Sequence, residues 1–289
     1  MAYRKDRNIT REIPVLRRIL SLLIPGPHKN QVFMEQKLDL SRTLPWIEAE
    51  RARTGKKIQF LHLFMAGTGR MLHRYPRLNR YVSGFWFYQR DGVTISVSAK
   101  KEMKDGAKVV LLKIPLEADE TPARSFDRMV TALSPARAGT ELAQEKEVRA
   151  FMHIPSLIFY PLLVFIRWLH NLHLLPGWFM DPDPMFTSIV VANLGSVGMN
   201  SAFHHLYSWG NAHFFAVIGR IRDEVVLVDG KVEVHPVADI KYTFDDRVED
   251  GLACGLGLAN LKELLEDPER FASGFLTDFD GRPPPSVSL

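Results

Sequence analysis

The run from Val225 to Val234 most narrows the folds open to this chain. It reads Val-Val-Leu-Val, then Asp229-Gly230, then Lys-Val-Glu-Val. Asp-Gly accepts the positive φ angles of a type I′ turn, so the two apolar runs predict a tight antiparallel hairpin. The chain must therefore build a sheet with antiparallel content, and an all-helical bundle is excluded. Extended stretches are also predicted at 32–39, 85–89, 93–99, 108–116, 187–192, 213–222 and 239–244. Asp91-Gly92 predicts a hairpin turn between the second and third of these.

Helical periodicity alternates with the strands. The first helix is predicted over 10–24, with Thr10 as its cap and Ile13, Leu16, Leu20, Leu23 and Ile24 on one face, stopped by Pro25-Gly26-Pro27. Others are predicted over 41–53, over 59–75 before Pro76, over 121–149, and over 250–265 before Pro268. No internal repeat and no low-complexity linker interrupts the pattern. Residues 1–289 therefore read as one α/β (α+β) domain, a mixed sheet flanked by helices.

Composition removes several classes of function. Apolar residues make up 46% and charged residues 24%, an ordinary globular balance. Cys254 is the single cysteine, so neither an intrachain disulfide nor a cysteine-built zinc site can form. A net charge of +4 is too small to imply a nucleic-acid partner. The first residues, Met1 to Asn8, are charged and no secretion-type apolar core follows, so a cytoplasmic protein is expected. The longest apolar run, Leu157 to Ile166, is interrupted by Pro161 and is shorter than the roughly 20 residues needed to span a bilayer.

Two C-terminal segments carry a family resemblance. One is Phe244-Asp245-Asp246-Arg247-Val248-Glu249-Asp250-Gly251, followed by Leu261-Lys262-Glu263-Leu264-Leu265-Glu266-Asp267-Pro268. The other is Asn193-Leu194-Gly195-Ser196-Val197-Gly198, with Asn193 lying 53 positions before Asp246 (246 − 193). Together they resemble the catalytic domain of dihydrolipoamide acyltransferases of 2-oxo acid dehydrogenase complexes. Its signature is D-H-R-x-x-D-G, with an S-N-L-G-x-x-G segment upstream. Weaker likeness runs through Ile13-Pro14, Arg17-Arg18-Ile19 and Tyr75-Pro76-Arg77-Leu78-Asn79. The resemblance implies a chloramphenicol-acetyltransferase-like fold, a homotrimer or higher oligomer with active sites between subunits, and coenzyme A as candidate cofactor. The residues themselves establish no cofactor.

The implied chemistry moves an acyl group between lipoyl and coenzyme A thiols. The thiolate attacks, so a base near neutrality must take the proton, and a donor must meet the tetrahedral oxyanion. The family uses the motif histidine and a Ser or Thr hydroxyl. Here Asp246 occupies the histidine position and Ala192 the hydroxyl position. An ordinary aspartate titrates near 3.9 and a thiol near roughly 8.5, so proton transfer to Asp246 is uphill by roughly 6 kcal/mol. Losing an oxyanion donor costs about 3 kcal/mol more. By the same resemblance Asp250 is the structural aspartate, Gly251 follows it, and Arg17 is its expected partner, with Asn193 and Gly195 retained. The expected protein is thus a stand-alone relative that lacks standard acyl transfer and acts in binding, scaffolding or regulation. The alternative is an active coenzyme A-dependent acyltransferase with a different base, for which His204, His205 and His213 are the candidate substitutes.

The acidic run Asp245, Asp246, Glu249 and Asp250 reads as an arginine-paired turn at a helix N-terminus, so no metal is expected. No lipoyl domain and no peripheral-subunit-binding domain is expected within the chain. A hydrophobic insert is expected at about 151–183, including His153-Ile-Pro-Ser-Leu-Ile-Phe-Tyr-Pro and Leu174-Leu-Pro-Gly-Trp-Phe-Met. Such a surface serves a neighbouring subunit, a membrane surface through residues 154–180, or a lid over a pocket. A membrane-surface interaction protein, peripheral to the membrane, is the further reading.

Overall fold

A computed structural model describes residues 6–24, 26–100, 109–137, 154–172 and 174–273. The helices are α1 (Val15–Leu23), α2 (Thr43–Thr54), α3 (Phe60–Arg74), α4 (Pro122–Arg137), α5 (Ser156–Asn171), α6 (Gly177–Met180), α7 (Gly251–Glu266) and α8 (Glu269–Ser273). The strands are β1 (Arg7–Asn8), β2 (Gln31–Asp39), β3 (Arg80–Ser83), β4 (Trp86–Gln89), β5 (Val93–Lys100), β6 (Val109–Leu116), β7 (Ile189–Asn193), β8 (Phe214–Ile218), β9 (Arg222–Val228) and β10 (Lys231–Asp245).

Seven strands form the main sheet in the order β2-β10-β8-β7-β5-β6, with β9 paired to the first half of β10. The β5–β7 and β7–β8 pairs are parallel and the remaining pairs antiparallel, so the sheet is mixed. Because successive side chains point to opposite faces, β8 splits its residues between two cores. Phe214, Ala216 and Ile218 join the main core, which includes Leu63, Phe64, Leu261 and Leu265 of α3 and α7. Phe215 and Val217 join a smaller cluster with Val190 and Leu206 on the other face.

The β9–β10 hairpin forms as its sequence predicts. Val228 pairs with Lys231, and Asp229 and Gly230 take φ of 49° and 77°, the doubly positive pattern of a type I′ turn. The strand predicted at 239–244 is not separate; it continues from the hairpin as the single long β10.

Three expectations need correction. The first helix begins at Val15, not Thr10, because Pro14 holds an extended conformation before it. Thr10 instead opens a short 3-10 turn and accepts a hydrogen bond from the Phe87 amide. The apolar face read on that helix is mostly outward: Ile13 is buried, but Leu16, Leu20, Leu23 and Ile24 are exposed. Asp91-Gly92 does not close a hairpin. It links the main sheet to a second, three-stranded sheet, β1-β4-β3, in which β3 and β4 turn through Gly84 at φ +60°. A side chain at Gly84 would strike the Asn171 carbonyl at the end of α5. The charged helix is described as far as Arg137; the rest of its predicted span lies outside the described residues.

Candidate functional site

The segment 244–251 is built by three local devices. Phe244 and Asp245 finish β10 in register with Val32 and Gln31 of β2. A turn follows, anchored by a buried ion pair: Arg247 Nε donates to Asp245 Oδ1 at 2.8 Å and Nη2 donates to Oδ2 at 2.5 Å. Asp250 then caps α7, its Oδ1 accepting from the Ala253 amide at 2.8 Å. A carboxylate at this position both satisfies an orphan amide and favours the helix dipole.

Arginines surround the turn. Arg17 Nη1 donates to the Asp246 carbonyl at 3.1 Å, and Arg17 Nη2 lies 3.7 Å from both Glu249 Oε1 and Asp250 Oδ2. Arg77 grips Glu249 with Nε and Nη2 at 2.8 and 2.9 Å, and Arg80 Nη1 reaches the same carboxylate at 3.3 Å. Glu249 is only 5% exposed, so it is the hub of this network; Asp250, at 50%, is its rim. The family pattern pairs Arg17 with Asp250, which it approaches at the rim, but the spacing does not mark Glu249 as the hub. Arg77 lies inside the Tyr75–Asn79 stretch, which is the signal that could have found it. A cleft of about 360 Å³ opens between this network and the Glu12–Pro14 turn.

Asp246 projects outward from the turn. Its amide donates to the Asn30 carbonyl at 2.9 Å, while its side chain is exposed and accepts no hydrogen bond among the described residues. Cys254 lies close beneath. Burial first, then the Asp246 and Asp250 carboxylates, push its thiol up to about 12, so it carries no thiolate near neutrality.

The second segment sits elsewhere. Ala192 pairs with Val217 and Asn193 with Ile218, at the far end of β8. The Ala192 methyl faces the smaller cluster beside Val217, Leu206 and Tyr207. Asn193 accepts from the Ser196 amide and shapes the turn, whose Gly195 is packed so closely that a Cβ would meet the Gly219 carbonyl. Asp245, by contrast, bonds the His213 carbonyl before β8 begins. Val217 lies four positions beyond His213, about 13 Å at the usual strand rise. One chain therefore does not bring Ala192 and Asp246 together.

The candidate histidines also scatter. His213 is fully buried; its Nε2 donates to the Leu78 carbonyl at 2.5 Å, its Nδ1 meets no partner among the described residues, and burial pulls its pKa down to about 3. His204 stacks on Phe215 at 4.1 Å, on the Ala192 face of the sheet. His205 lies next to it and 6.0 Å, ring to ring, from His28. His28 was not read from the sequence, where nothing sets it apart. Its Nε2 bonds Ser208 Oγ, and it lies two residues from Asn30, the partner of Asp246. No cluster suited to a metal ion occurs among the described residues.

Residues 185–273 match the family model described as 2-oxoacid dehydrogenases acyltransferase (catalytic domain). Over 212 residues the chain is 22% identical to the lipoamide acyltransferase component of the branched-chain alpha-keto acid dehydrogenase complex of Bacillus subtilis. That match takes in 73% of this chain but only 40% of the relative's length. Among solved structures, the dihydrolipoamide acetyltransferase of Azotobacter vinelandii, studied for the catalytic roles of a serine, a histidine and an asparagine, superposes with a TM-score of 0.60. It is 15% identical over 92% of this chain and 91% of its own. A chloramphenicol acetyltransferase superposes with a TM-score of 0.51 at 11% identity, over 91% of this chain and 98% of its own. The fold is therefore that of the acyltransferase catalytic core and of chloramphenicol acetyltransferase, and the family-model match takes in both motif segments.

Proposed function

We propose that this chain keeps the scaffold of an acyltransferase catalytic domain but does not perform standard coenzyme A-dependent acyl transfer, and serves as an oligomeric binding or scaffolding protein. What supports this is the exposed Asp246 carboxylate, which the motif spacing assigns to the family's histidine, and the cluster-packed Ala192 methyl, which it assigns to the hydroxyl. Neither group supplies what the reaction needs. A carboxylate is a far weaker base than the imidazole the reaction calls for, and a methyl donates nothing to an oxyanion. The network of Arg17, Arg77, Arg80 and Glu249 steadies the turn without them. Coenzyme A remains the candidate ligand of such a shell, a homotrimer its natural assembly, and residues 154–180 its partner-facing surface.

A second reading, an active transferase with a displaced base, is favoured by one arrangement: the His28 imidazole beside Asn30, Ser208 and His205. Assay of the purified chain with acetyl-coenzyme A and dihydrolipoamide separates the two. No turnover above the uncatalysed rate is expected, and Asp246→His combined with Ala192→Ser is expected to raise it. Turnover in the unaltered chain that survives Asp246→Ala but not His28→Ala would establish the second reading instead.

A further inference from the structure

Helix α5 has an unusual outward face. Leu157, Ile158, Tyr160, Val164, Phe165 and Trp168 are all at least half exposed, Leu157 at 86% and Tyr160 at 72%. The inner face is docked through Ile166 and Leu169, which pack with Leu175, Met180 and Phe186. Ser83 Oγ donates to the His170 carbonyl and Gly84 abuts Asn171, so the end of α5 sits against the β3–β4 turn. That turn exposes Phe85 and Trp86, and the following α6 exposes Trp178. Three of the chain's five tryptophans, Trp86, Trp168 and Trp178, thus lie exposed around one apolar ridge.

We propose that this ridge docks on an anionic lipid surface, lying in the headgroup layer without crossing it. The proposal rests on the reading of 154–180 as a partner-facing surface and names the partner. Length comes first: no helix among the described residues is long and apolar enough to span a membrane. Charge comes second. Residues 154–180 contain no Asp or Glu, and Arg167 stands exposed among the apolar side chains. No carboxylate in this stretch would repel anionic headgroups, and an arginine adjoining buried apolar surface is attracted to them. Chemistry comes third. A protein partner is specified by a polar rim and hydrogen bonds. The outward positions of α5 offer little of either. Tyrosine and tryptophan rings, apolar with one polar edge, suit the boundary between acyl chains and water.

The test uses the full chain and vesicles of phosphatidylcholine with and without phosphatidylglycerol. Flotation with the anionic vesicles, a blue shift of tryptophan emission and loss of both on adding salt are the expected results. Val164→Asp and Trp168→Asp are expected to lower vesicle binding at least tenfold, and Arg167→Glu to lower it selectively on anionic vesicles. Circular dichroism confirms that each variant is folded. Absence of binding by the unaltered chain overturns the lipid assignment. If Val164→Asp then changes the oligomeric state by size-exclusion chromatography, the ridge is an interface between copies, and the partner-surface reading stands. If it changes neither, both readings fall.

Discussion

Helices α3 and α5 are both rich in large apolar residues, yet they end in opposite places. On α3, from Phe60 to Leu72, nearly every side chain is buried; on α5 only His170 is. Greasiness therefore does not decide burial. Helix α3 carries Gly67, where a Cβ would come within 2.8 Å of a Leu261 methyl, so α7 seats directly on its backbone. It also carries polar anchors: Gln59 and His62 cap its start reciprocally, and Arg70 Nε donates to the Glu120 carbonyl. Helix α5 begins after Pro155, contains Pro161, and has large side chains at every outward position. A helix is taken inside where it offers both a close approach and partners for its polar groups.

The contrast makes its largest prediction at the core. Phe64→Ala, at a fully buried position, is expected to cost about 3–5 kcal/mol by urea denaturation. Phe165→Ala on α5 is expected to change stability by no more than about 0.5 kcal/mol. Equal losses would mean that α5 is covered in solution. Next in size is the pair of carboxylates in the motif turn. Glu249→Ala leaves Arg17, Arg77 and Arg80 without their shared partner and is expected to cost about 3 kcal/mol. Asp246→Ala is expected to be nearly neutral to stability, within about 0.5 kcal/mol. A reversed order would show that Asp246, not Glu249, holds the turn.

A smaller effect follows from the start of α3. Burial first, and then the nearby Arg51 charge, lower the His62 pKa to about 4; its Nδ1 accepts the Gln59 amide. The unfolded chain binds this proton near pH 6.5 and the folded chain does not, so stability falls as pH drops from about 6.5 towards 4. In His62→Gln that part of the fall is expected to disappear from urea midpoints taken across this range. His235 has the opposite sign. Asp39 first, and then Glu233, raise its pKa through hydrogen bonds. Its contribution is full below about pH 6.5 and fades as pH rises through the raised value. Its ring is only partly buried and its carboxylate partners are more exposed still, so the effect is the smallest of the set. It is measured as a midpoint difference between pH 6 and pH 9 that His235→Gln removes.

What could be read from residues alone follows the range of the forces involved. The β9–β10 turn is local: Asp229-Gly230 has to adopt φ values few other pairs tolerate, and it does. The long apolar period of α3 and the spacing between the two motifs are likewise properties of the chain itself. The three-stranded sheet is not legible because β3, Arg80–Ser83, is only four residues long and gains its order from pairing with β4. Glu249 as hub was hidden because its arginines come from positions 17, 77 and 80. His28 gives no sequence signal; only the fold sets it near Ser208 and His205. The outward face of α1 had the right period and the wrong direction, since periodicity says that residues share a face but not what that face meets.

The separation of Ala192 from Asp246 along β8 has a consequence for how the molecule would respond to its own abundance. In the oligomer proposed above, a small compound that touches both positions would be clasped by two polypeptides. Its capture would then depend on how many copies meet, so dilution alone would release it. Blending copies altered at one end with copies altered at the other would restore some intact clasps and leave others doubly broken.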